Sequence, residues 1–234
     1  MTVLWCIYNT VVGGGNLRKE KKYIVDVKDI DDVILLSKKI GHIDKYSGKD
    51  SSYDVESFYR LIWETDTASG KIRLRKYSAD GKVTCFLENK YKKNGNSFKK
   101  RSKIDTSVYS QLIKQNNINS TLRDIYKINS ELLFFINEKN SQLKLEQIKL
   151  FYKRRAFLLE INGNEYRLTI DSDLSIDYNN SKIRIIPQQK CILEIKGKKL
   201  KPIQELYKLD RFANRCKISK YKRALYFINS KEVL

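Results

Sequence analysis

Basic residues alternate with other residues in five short stretches of this chain. These stretches are Arg18-Lys19-Glu20-Lys21-Lys22, Lys71-Ile72-Arg73-Leu74-Arg75, Phe86-Leu87-Glu88-Asn89-Lys90, Lys99-Lys100-Arg101-Ser102-Lys103 and Ile192-Leu193-Glu194-Ile195-Lys196. In a β-strand, residues i and i+2 point to the same face, so each stretch would gather its charges on one side. Nearly all of these charges are positive, and like charges that face one another repel unless an anion lies between them. The pattern therefore indicates a phosphate-rich ligand.

In a closed barrel, such strands would surround the ligand with positive side chains. Arginine forks match phosphate oxygens in bidentate fashion, and lysine supplies a compact charge. The candidate phosphate ligands are Arg73, Arg75, Lys90, Lys99, Arg101, Arg154 and Arg167. The alternative is that several of them simply lie on solvated faces.

Three glutamates lie within the basic stretches, and each precedes a lysine by two residues. For Glu20 and Glu88, a salt bridge to that lysine is the simplest interpretation. Glu194 differs because the rest of its stretch is apolar. A carboxylate that faces bound phosphate is repelled unless a divalent cation bridges the two, and Mg²⁺ and Mn²⁺ prefer such oxygen ligands. We therefore predict Glu194 as a ligand of Mn²⁺ or Mg²⁺, with Glu20 and Glu88 as further candidates.

The familiar catalytic motifs are missing from the sequence. It has no GxxxxGK[ST] or GxGxxG motif, and His42 is its only histidine, so a Ser/His/Asp site cannot be built. Any chemistry would then depend on positioning and charge stabilisation, as phosphoryl transfer does.

Composition narrows the class of protein without choosing the partner. The 234 residues carry a formal net charge of +20, which suits nucleic acid, an anionic membrane or polyphosphate. The four cysteines, Cys6, Cys85, Cys191 and Cys216, are widely spaced and indicate reduced thiols in a cytoplasmic protein, although two disulfides stay open. No run of about 18 apolar residues exists, so we expect no transmembrane segment.

Strand and helix signals alternate along the chain. Strand signals cover about residues 17–27, 53–61, 71–77, 83–91, 97–104, 147–161, 165–171 and 190–196. Turns are expected at 68–70, 79–81, 94–96 and 162–164, and helical spacing at 29–40, 105–139 and 202–212. We predict an α+β fold: an eight-stranded antiparallel β-barrel with inserted and C-terminal helices. Residues 1–16 would form an N-terminal extension, and residues 17–234 a single domain.

Taken in order, the motifs resemble the VTC domain, the catalytic domain of polyphosphate polymerases in the CYTH or triphosphate tunnel metalloenzyme superfamily. The resemblance covers about residues 17–226. It rests on Arg18-Lys19-Glu20-Lys21-Lys22-Tyr23, Ile72-Arg73-Leu74-Arg75, Leu87-Glu88-Asn89-Lys90, Lys99-Lys100-Arg101, Tyr152-Lys153-Arg154-Arg155-Ala156-Phe157, Arg167-Leu168-Thr169-Ile170-Asp171, Leu193-Glu194-Ile195-Lys196 and Ser219-Lys220-Tyr221.

The resemblance implies that residues 17–234 form a triphosphate tunnel. It implies an enzyme that transfers the γ-phosphate of ATP to a growing inorganic polyphosphate chain, with Glu194 binding the metal. Phosphate contacts would come from Lys22, Arg73, Arg75, Lys90, Lys99, Arg101, Arg154, Arg167, Lys196, Ser219 and Lys220. Lys220, with Ser219 and Tyr152, would orient the acceptor or terminal phosphate.

The chain also departs from the family pattern. Arg60-Leu61 follows Ser57-Phe58-Tyr59, where members commonly have Phe-Asp and a longer excursion, and Arg18 leaves fewer metal carboxylates than typical hydrolases carry. A triphosphatase that uses the same tunnel, with water as the nucleophile, is the rival enzyme, because both activities need the same phosphate contacts. A nucleic-acid- or membrane-binding module is the lesser alternative, and a membrane partner protein and the oligomeric state are left open.

Overall fold

The computed structural model describes residues 19–133, 142–212 and 219–232. The strands in these ranges are β1 Lys19–Asp26, β2 Gly41–Ile43, β3 Tyr53–Glu64, β4 Ala68–Ala79, β5 Lys82–Lys93, β6 Asn96–Ile104, β7 Gln142–Ile161, β8 Asn164–Tyr178, β9 Ser181–Arg184 and β10 Lys190–Gly197. The α-helices are α1 Asp31–Ile40, α2 Thr106–Lys114, α3 Ile118–Ile128, α4 Lys201–Leu206 and α5 Lys220–Glu232, and 3₁₀ helices span Val27–Asp29, Ser130–Leu133 and Leu209–Arg211.

The described residues fall into two compact units. We call Glu56–Tyr77 with Lys82–Lys149 the first unit, and Gly15–Val55 with Ser78–Gly81 and Leu150–Leu234 the second unit, each in its described part. The prediction that residues 17–234 form one domain, with residues 1–16 as an extension, stays a prediction.

In the first unit, the strands follow one another in the order β3-β4-β5-β6. β5 and β6 are antiparallel, and the left-handed residues Asn94 (φ 49°) and Gly95 (φ 76°) form the tight turn between them. Ile72 and Leu74 of β4 have no exposed surface and belong to an apolar core with residues of α2 and α3. Because side chains alternate along a strand, burial of these two residues directs Arg73 and Arg75 to the opposite face.

In the second unit, the order is β1-β10-β8-β7, with β2 beside β7 and β9 beside β8, and these pairs are antiparallel. Leu168 and Ile195, both fully buried, lie in its core together with Val33 of α1 and Ile203 of α4. The odd and even residues of β8 and β10 therefore divide between this core and a polar face.

The α+β class with mainly antiparallel strands is confirmed. Ten strands occur among the described residues, since the short β2 and β9 add to the eight expected ones. Closure into an eight-stranded barrel is not confirmed and stays a prediction.

The turn expected at residues 68–70 is wrong. β4 already begins at Ala68, and the chain reverses just before it, where the Thr65 N–H donates to the Ala68 carbonyl at 2.7 Å. Gly70 lies within β4, and the Trp63 ring packs against it. A Cβ at this position would lie 2.5 Å from that ring, so only glycine fits there. The glycine marks close packing rather than a turn.

Two of the helix boundaries also differ from the expectation. α1 begins at Asp31, two residues later than the helical pattern that was expected from residue 29. The helix predicted over 202–212 ends at Leu206, because Lys208 adopts a left-handed conformation (φ 47°) before a 3₁₀ turn. The helical pattern predicted over 105–139 is confirmed as α2 and α3, and its last part, from residue 134 on, lies outside the described residues.

Arg60 of β3 is a buried charge in the first unit. It is 1% exposed, and its Nη2 donates to Thr121 Oγ1 at 3.4 Å. Its Nε and Nη1 have no hydrogen-bond partner among the described residues, and burial lowers its pKa. A guanidinium without a paired anion destabilises the fold that buries it.

We expect Arg60→Met to raise the free energy of unfolding by about 1–3 kcal/mol, because a long apolar side chain fills the volume without the desolvated charge. Urea unfolding measures this change in the free energy of unfolding. Arg123→Met is the matched control, since Arg123 is 69% exposed and its loss should change stability by no more than about 0.5 kcal/mol. The interpretation would be contradicted if Arg60→Met lowered the free energy of unfolding while Arg123→Met left it unchanged.

Candidate functional site

In the first unit, four cations surround one carboxylate. Glu88 of β5 has no exposed surface, and we call it, together with Arg73, Arg75, Lys99 and Arg101, the Glu88 cluster. Its Oε2 lies 2.7 Å from Arg73 Nε and 3.8 Å from Arg75 Nη1. Its Oε1 lies 2.5 Å from Lys99 Nζ and 3.2 Å from Arg101 Nε. One carboxylate therefore holds four side chains that the sequence analysis proposed as phosphate ligands.

Neighbouring polar groups fix the two arginines of β4. Arg73 Nη1 donates to Tyr59 Oη at 3.3 Å. Arg75 Nε donates to Ser57 Oγ at 3.2 Å, and its Nη1 donates to Tyr77 Oη at 3.3 Å. These bonds leave the guanidinium groups oriented before any ligand arrives, which reduces the entropy cost of binding.

On β6, an aromatic ring holds Arg101. The guanidinium carbon lies 3.2 Å from the ring centroid of Phe86, and the β5–β6 register places Arg101 directly opposite Glu88. Lys90 lies on the same face of β5, one step beyond Glu88 and opposite Lys99, and it is exposed. Lys90 is thus a neighbour of the Glu88 cluster on the solvent side.

The cluster keeps three positive charges in excess of its single negative charge. Burial acts to raise the pKa of Glu88, but Arg75, Arg73, Lys99 and Arg101 outweigh it and hold the pKa well below the usual value. Burial and the positive charges of Arg75, Arg73 and Arg101 lower the pKa of Lys99 to about 8, while Glu88 acts to raise it. A multivalent anion would relieve this repulsion.

In the second unit, Asp171 of β8 binds two cations. It has no exposed surface, and its oxygens accept from Arg154 Nε at 2.6 Å and Nη2 at 2.7 Å. Lys220 Nζ at the start of α5 lies 2.6 Å from Asp171 Oδ2. The Tyr152 ring centroid lies 5.2 Å from both the Lys220 ammonium nitrogen and the Arg154 guanidinium carbon. We call these four residues the Asp171 cluster.

Beside it in the same unit lies the Glu194 cluster, which consists of Glu20, Lys22, Glu194 and Lys196. Lys196 Nζ lies 2.7 Å from Glu194 Oε1 and 3.1 Å from Glu20 Oε2. Lys22 Nζ lies 2.6 Å from Glu20 Oε1 and 3.7 Å from Glu194 Oε2. Burial acts to raise the pKa of Glu194, but Lys196, Lys220 and Lys22 outweigh burial and lower the pKa far below its usual value. Both lysines predicted as phosphate ligands here thus have carboxylate partners.

Two further predicted residues have local partners. Arg167 Nη2 donates to Asp44 Oδ2 at 2.7 Å, and the register places Arg167 opposite Lys196. Ser219 Oγ accepts the Lys222 N–H at 3.3 Å in the first turn of α5, which is a helix cap. The Ser219 hydroxyl therefore has a structural partner next to the Asp171 cluster.

The family model of the VTC domain matches residues 17–228 of the sequence. The chain belongs to the VTC-domain family. Membership supports a triphosphate-tunnel enzyme with phosphoryl-transfer chemistry. No curated protein matches this sequence.

Two solved structures show distant similarity to this VTC-domain protein. The PH1819 protein of Pyrococcus horikoshii OT3 is 14% identical, with 83% of this chain and 86% of that chain covered and a TM-score of 0.37. A candidate adenylate cyclase of Bacillus halodurans is 12% identical, with coverage of 86% and 95% and a TM-score of 0.43. The assignment therefore rests on the family model.

The VTC family generally uses divalent metals, and one pair of carboxylates fits such an ion. Within residues 19–133, 142–212 and 219–232, no group of three or more His, Cys, Asp or Glu side chains is arranged to hold a metal. Glu20 and Glu194, however, converge on the same ammonium nitrogen of Lys196. Burial and the charge of Glu194 act to raise the pKa of Glu20, but Lys196 and Lys22 outweigh them and lower it. Two hard oxygen donors that contact one cation in common suit Mg²⁺ or Mn²⁺ when phosphate and water supply the remaining ligands. Glu88 is instead the counter-ion of four cations, and its metal role stays a prediction.

Asp171 and Asp44, the acidic partners of Arg154 and Arg167, were not identified from the sequence. Asp171 ends the motif that begins at Arg167, and its position four residues after Arg167 on one strand face was a signal that could have identified it. Asp44 had no such signal, because it follows the short strand β2 and meets Arg167 only through the pairing of β2 with β7.

Asp171→Asn should lower the free energy of unfolding by about 3–5 kcal/mol, because Arg154 and Lys220 lose the anion that compensates their burial. Since Arg154 and Lys220 lower the pKa of Asp171, its contribution is present above its unfolded pKa and is lost as pH falls through the folded value. Urea unfolding at pH 7 and at lower pH measures both effects.

Asp173→Asn is the matched control for this substitution. Asp173 lies two residues away on β8, is 52% exposed and pairs with the half-exposed Arg184. Its loss should change stability by less than about 1 kcal/mol. Equal stability of both variants would show that Asp171 does not hold the cluster together.

Lys99→Arg should remove a pH dependence of phosphate binding. Because the pKa of Lys99 is about 8, its positive charge is lost above that pH, and a polyanion then binds only if the lysine takes up a proton. Relative to Lys99→Arg, wild-type affinity for tripolyphosphate should fall up to about tenfold by pH 9.

The affinities of both proteins are measured by calorimetry in the same buffers, so that protonation of the ligand affects both values equally. Lys100→Arg, on the opposite face of β6 beside Glu131, is the control and should keep the wild-type pH profile. Parallel pH profiles for wild type and Lys99→Arg would exclude Lys99 from the phosphate contacts.

Proposed function

We propose that this VTC-domain protein is a metal-dependent polyphosphate polymerase that transfers the γ-phosphate of ATP to a growing inorganic polyphosphate chain. The observation that carries the proposal is the Glu88 cluster, in which four oriented cations are held by a single buried carboxylate. Such an excess of positive charge in a partly desolvated place stabilises an anion with many oxygens. A chain of phosphates is the ligand that matches it.

In the proposed reaction, a terminal oxygen of the polyphosphate attacks the γ-phosphorus of ATP. The new P–O–P bond forms as the bond between the γ-phosphorus and the β,γ-bridging oxygen breaks, and ADP leaves with that electron pair. The nucleophile belongs to the acceptor, so the protein need only position the reactants and stabilise the charge that spreads over the transferred group.

Particular side chains divide this work in our proposal. Arg73, Arg75 and Arg101 bind phosphate oxygens through their forks, while Lys99 adds a compact charge. Lys220 and Tyr152, which lie together beside Asp171, orient the acceptor phosphate. Further phosphate contacts come from Lys22, Lys90, Arg154, Arg167, Lys196 and Ser219.

Glu194, with Glu20, is the proposed holder of Mn²⁺ or Mg²⁺. A divalent cation at this place would neutralise phosphate charge that the two carboxylates otherwise repel. The two glutamates are positioned by Lys22 and Lys196, which lie between them.

The polymerase is favoured over a triphosphatase by the opening motif. Arg18 occupies its first position, as in polymerase-like members, where typical hydrolases carry additional metal carboxylates. Both enzymes need the same phosphate contacts, so product analysis separates them.

Incubation of the pure protein with ATP and Mn²⁺ should yield a ladder of phosphate chains on a gel together with ADP. Glu194→Gln should abolish this turnover, because the metal loses its carboxylate, while tripolyphosphate binding measured in EDTA persists or strengthens. Glu205→Gln, in which an exposed glutamate of α4 is replaced, is the control and should keep wild-type activity.

Phosphate release without a ladder would support the triphosphatase instead. Absence of both products with Mn²⁺ or Mg²⁺ would overturn the enzyme assignment, and full activity of Glu194→Gln would reject the metal ligand.

A further inference from the structure

Five residues lie side by side across five strands of the second unit. The registers place His42 of β2 opposite Leu158 of β7, and Leu158 opposite Arg167 of β8. They also place Arg167 opposite Lys196 of β10, and Lys196 opposite Glu20 of β1. Residues directly opposite each other in antiparallel strands point to the same face, with Cβ atoms about 5 Å apart. These five side chains thus form one row on the face that carries the Glu194 cluster.

Leu158 is the apolar member of this row. Its neighbours along β7, Phe157 and Leu159, are at most 2% exposed and belong to the core, whereas Leu158 is 50% exposed. A single exposed leucine is ordinary on a protein surface. Leu158 differs because it lies between the exposed His42 and the phosphate-binding candidate Arg167.

Along this row, the side chains change from charged to apolar between Arg167 and Leu158. Arg167 is 37% exposed and binds Asp44, while its buried Nε has no hydrogen-bond partner among the described residues. The next row on the same face holds Lys22, Glu194 and Thr169. A ligand that crosses this face would therefore meet cations and carboxylates first, then Arg167, and finally Leu158 with the His42 ring.

We propose that Leu158 and His42, which we call the Leu158 ledge, bind the base of a nucleoside triphosphate whose phosphates contact Arg167 and Lys196. The inference rests on the proposed function and deepens it, since it assigns residues to the base of the nucleoside triphosphate that the proposed function takes as phosphate donor. A phosphate chain gains nothing from a leucine side chain. A nucleobase has a planar apolar face that packs on leucine and stacks on imidazole.

Leu158→Ser and His42→Ala test this assignment by calorimetric titration with ATP and with tripolyphosphate in EDTA, where metal-dependent turnover does not interfere. Each variant should bind ATP about tenfold more weakly than wild type, since one base-stacking contact has about this strength. Tripolyphosphate affinity should stay within about twofold, because that ligand has no base.

Leu35→Ser is the matched control, since Leu35 of α1 is 71% exposed and lies on an element outside the row. It should bind both ligands as wild type does. Melting temperatures verify that all the variants fold. We expect them to fold because the side chains of Leu158 and His42 are exposed and their replacement leaves the core intact.

The outcomes separate the two proposals. Unchanged ATP binding in both variants, or an equal loss for ATP and tripolyphosphate, overturns the ledge while leaving the phosphate site in place. Failure of wild type to bind either ligand overturns the ledge and the proposed function together. A selective loss of ATP binding in Leu158→Ser and His42→Ala supports the assignment.

Discussion

Buried carboxylates hold the cationic side chains of this protein in place. Glu88 in the first unit and Asp171 in the second have no exposed surface, and each binds more positive groups than it can neutralise. Desolvation makes an unpaired buried charge expensive, so each carboxylate stabilises the fold by compensating the cations buried beside it. Because the cations outnumber them, a net attraction for anions is left over.

This arrangement links stability to function. Besides the carboxylates, neutral groups such as Ser57, Tyr77 and Phe86 orient the guanidinium groups without cancelling their charge. The orientation exists before a ligand binds, and little side-chain entropy remains to be lost. Pre-oriented charge of this kind stabilises a transferring phosphoryl group more than flexible surface lysines would.

The Glu194 cluster follows a different principle, because its positive and negative charges are equal in number. Lys22 and Lys196 keep Glu20 and Glu194 ionised and close together. In our proposal these two ionised carboxylates bind a divalent cation, which would let negatively charged phosphate approach them. Excess positive charge therefore suits phosphate, whereas paired carboxylates suit a metal ion.

The sequence by itself determined the strands and their faces. Period-two alternation is a local property, so the spacing of Ile72 and Leu74 is enough to separate them from Arg73 and Arg75 on the opposite face of the strand. The order of motifs also indicated the family. The residue types alone did not distinguish the glycine that packs against Trp63 from a turn glycine, since the role of Gly70 depends on a neighbouring strand.

Only the tertiary structure decided which charges meet. Lys22 finds Glu194, and Arg167 finds Asp44, through strand pairings that join distant parts of the chain. The register of those pairings also placed Leu158 beside Arg167, which no local pattern marks. Alternation within one strand is set by backbone geometry, whereas partners across strands are set by the strand order and register that the whole fold selects.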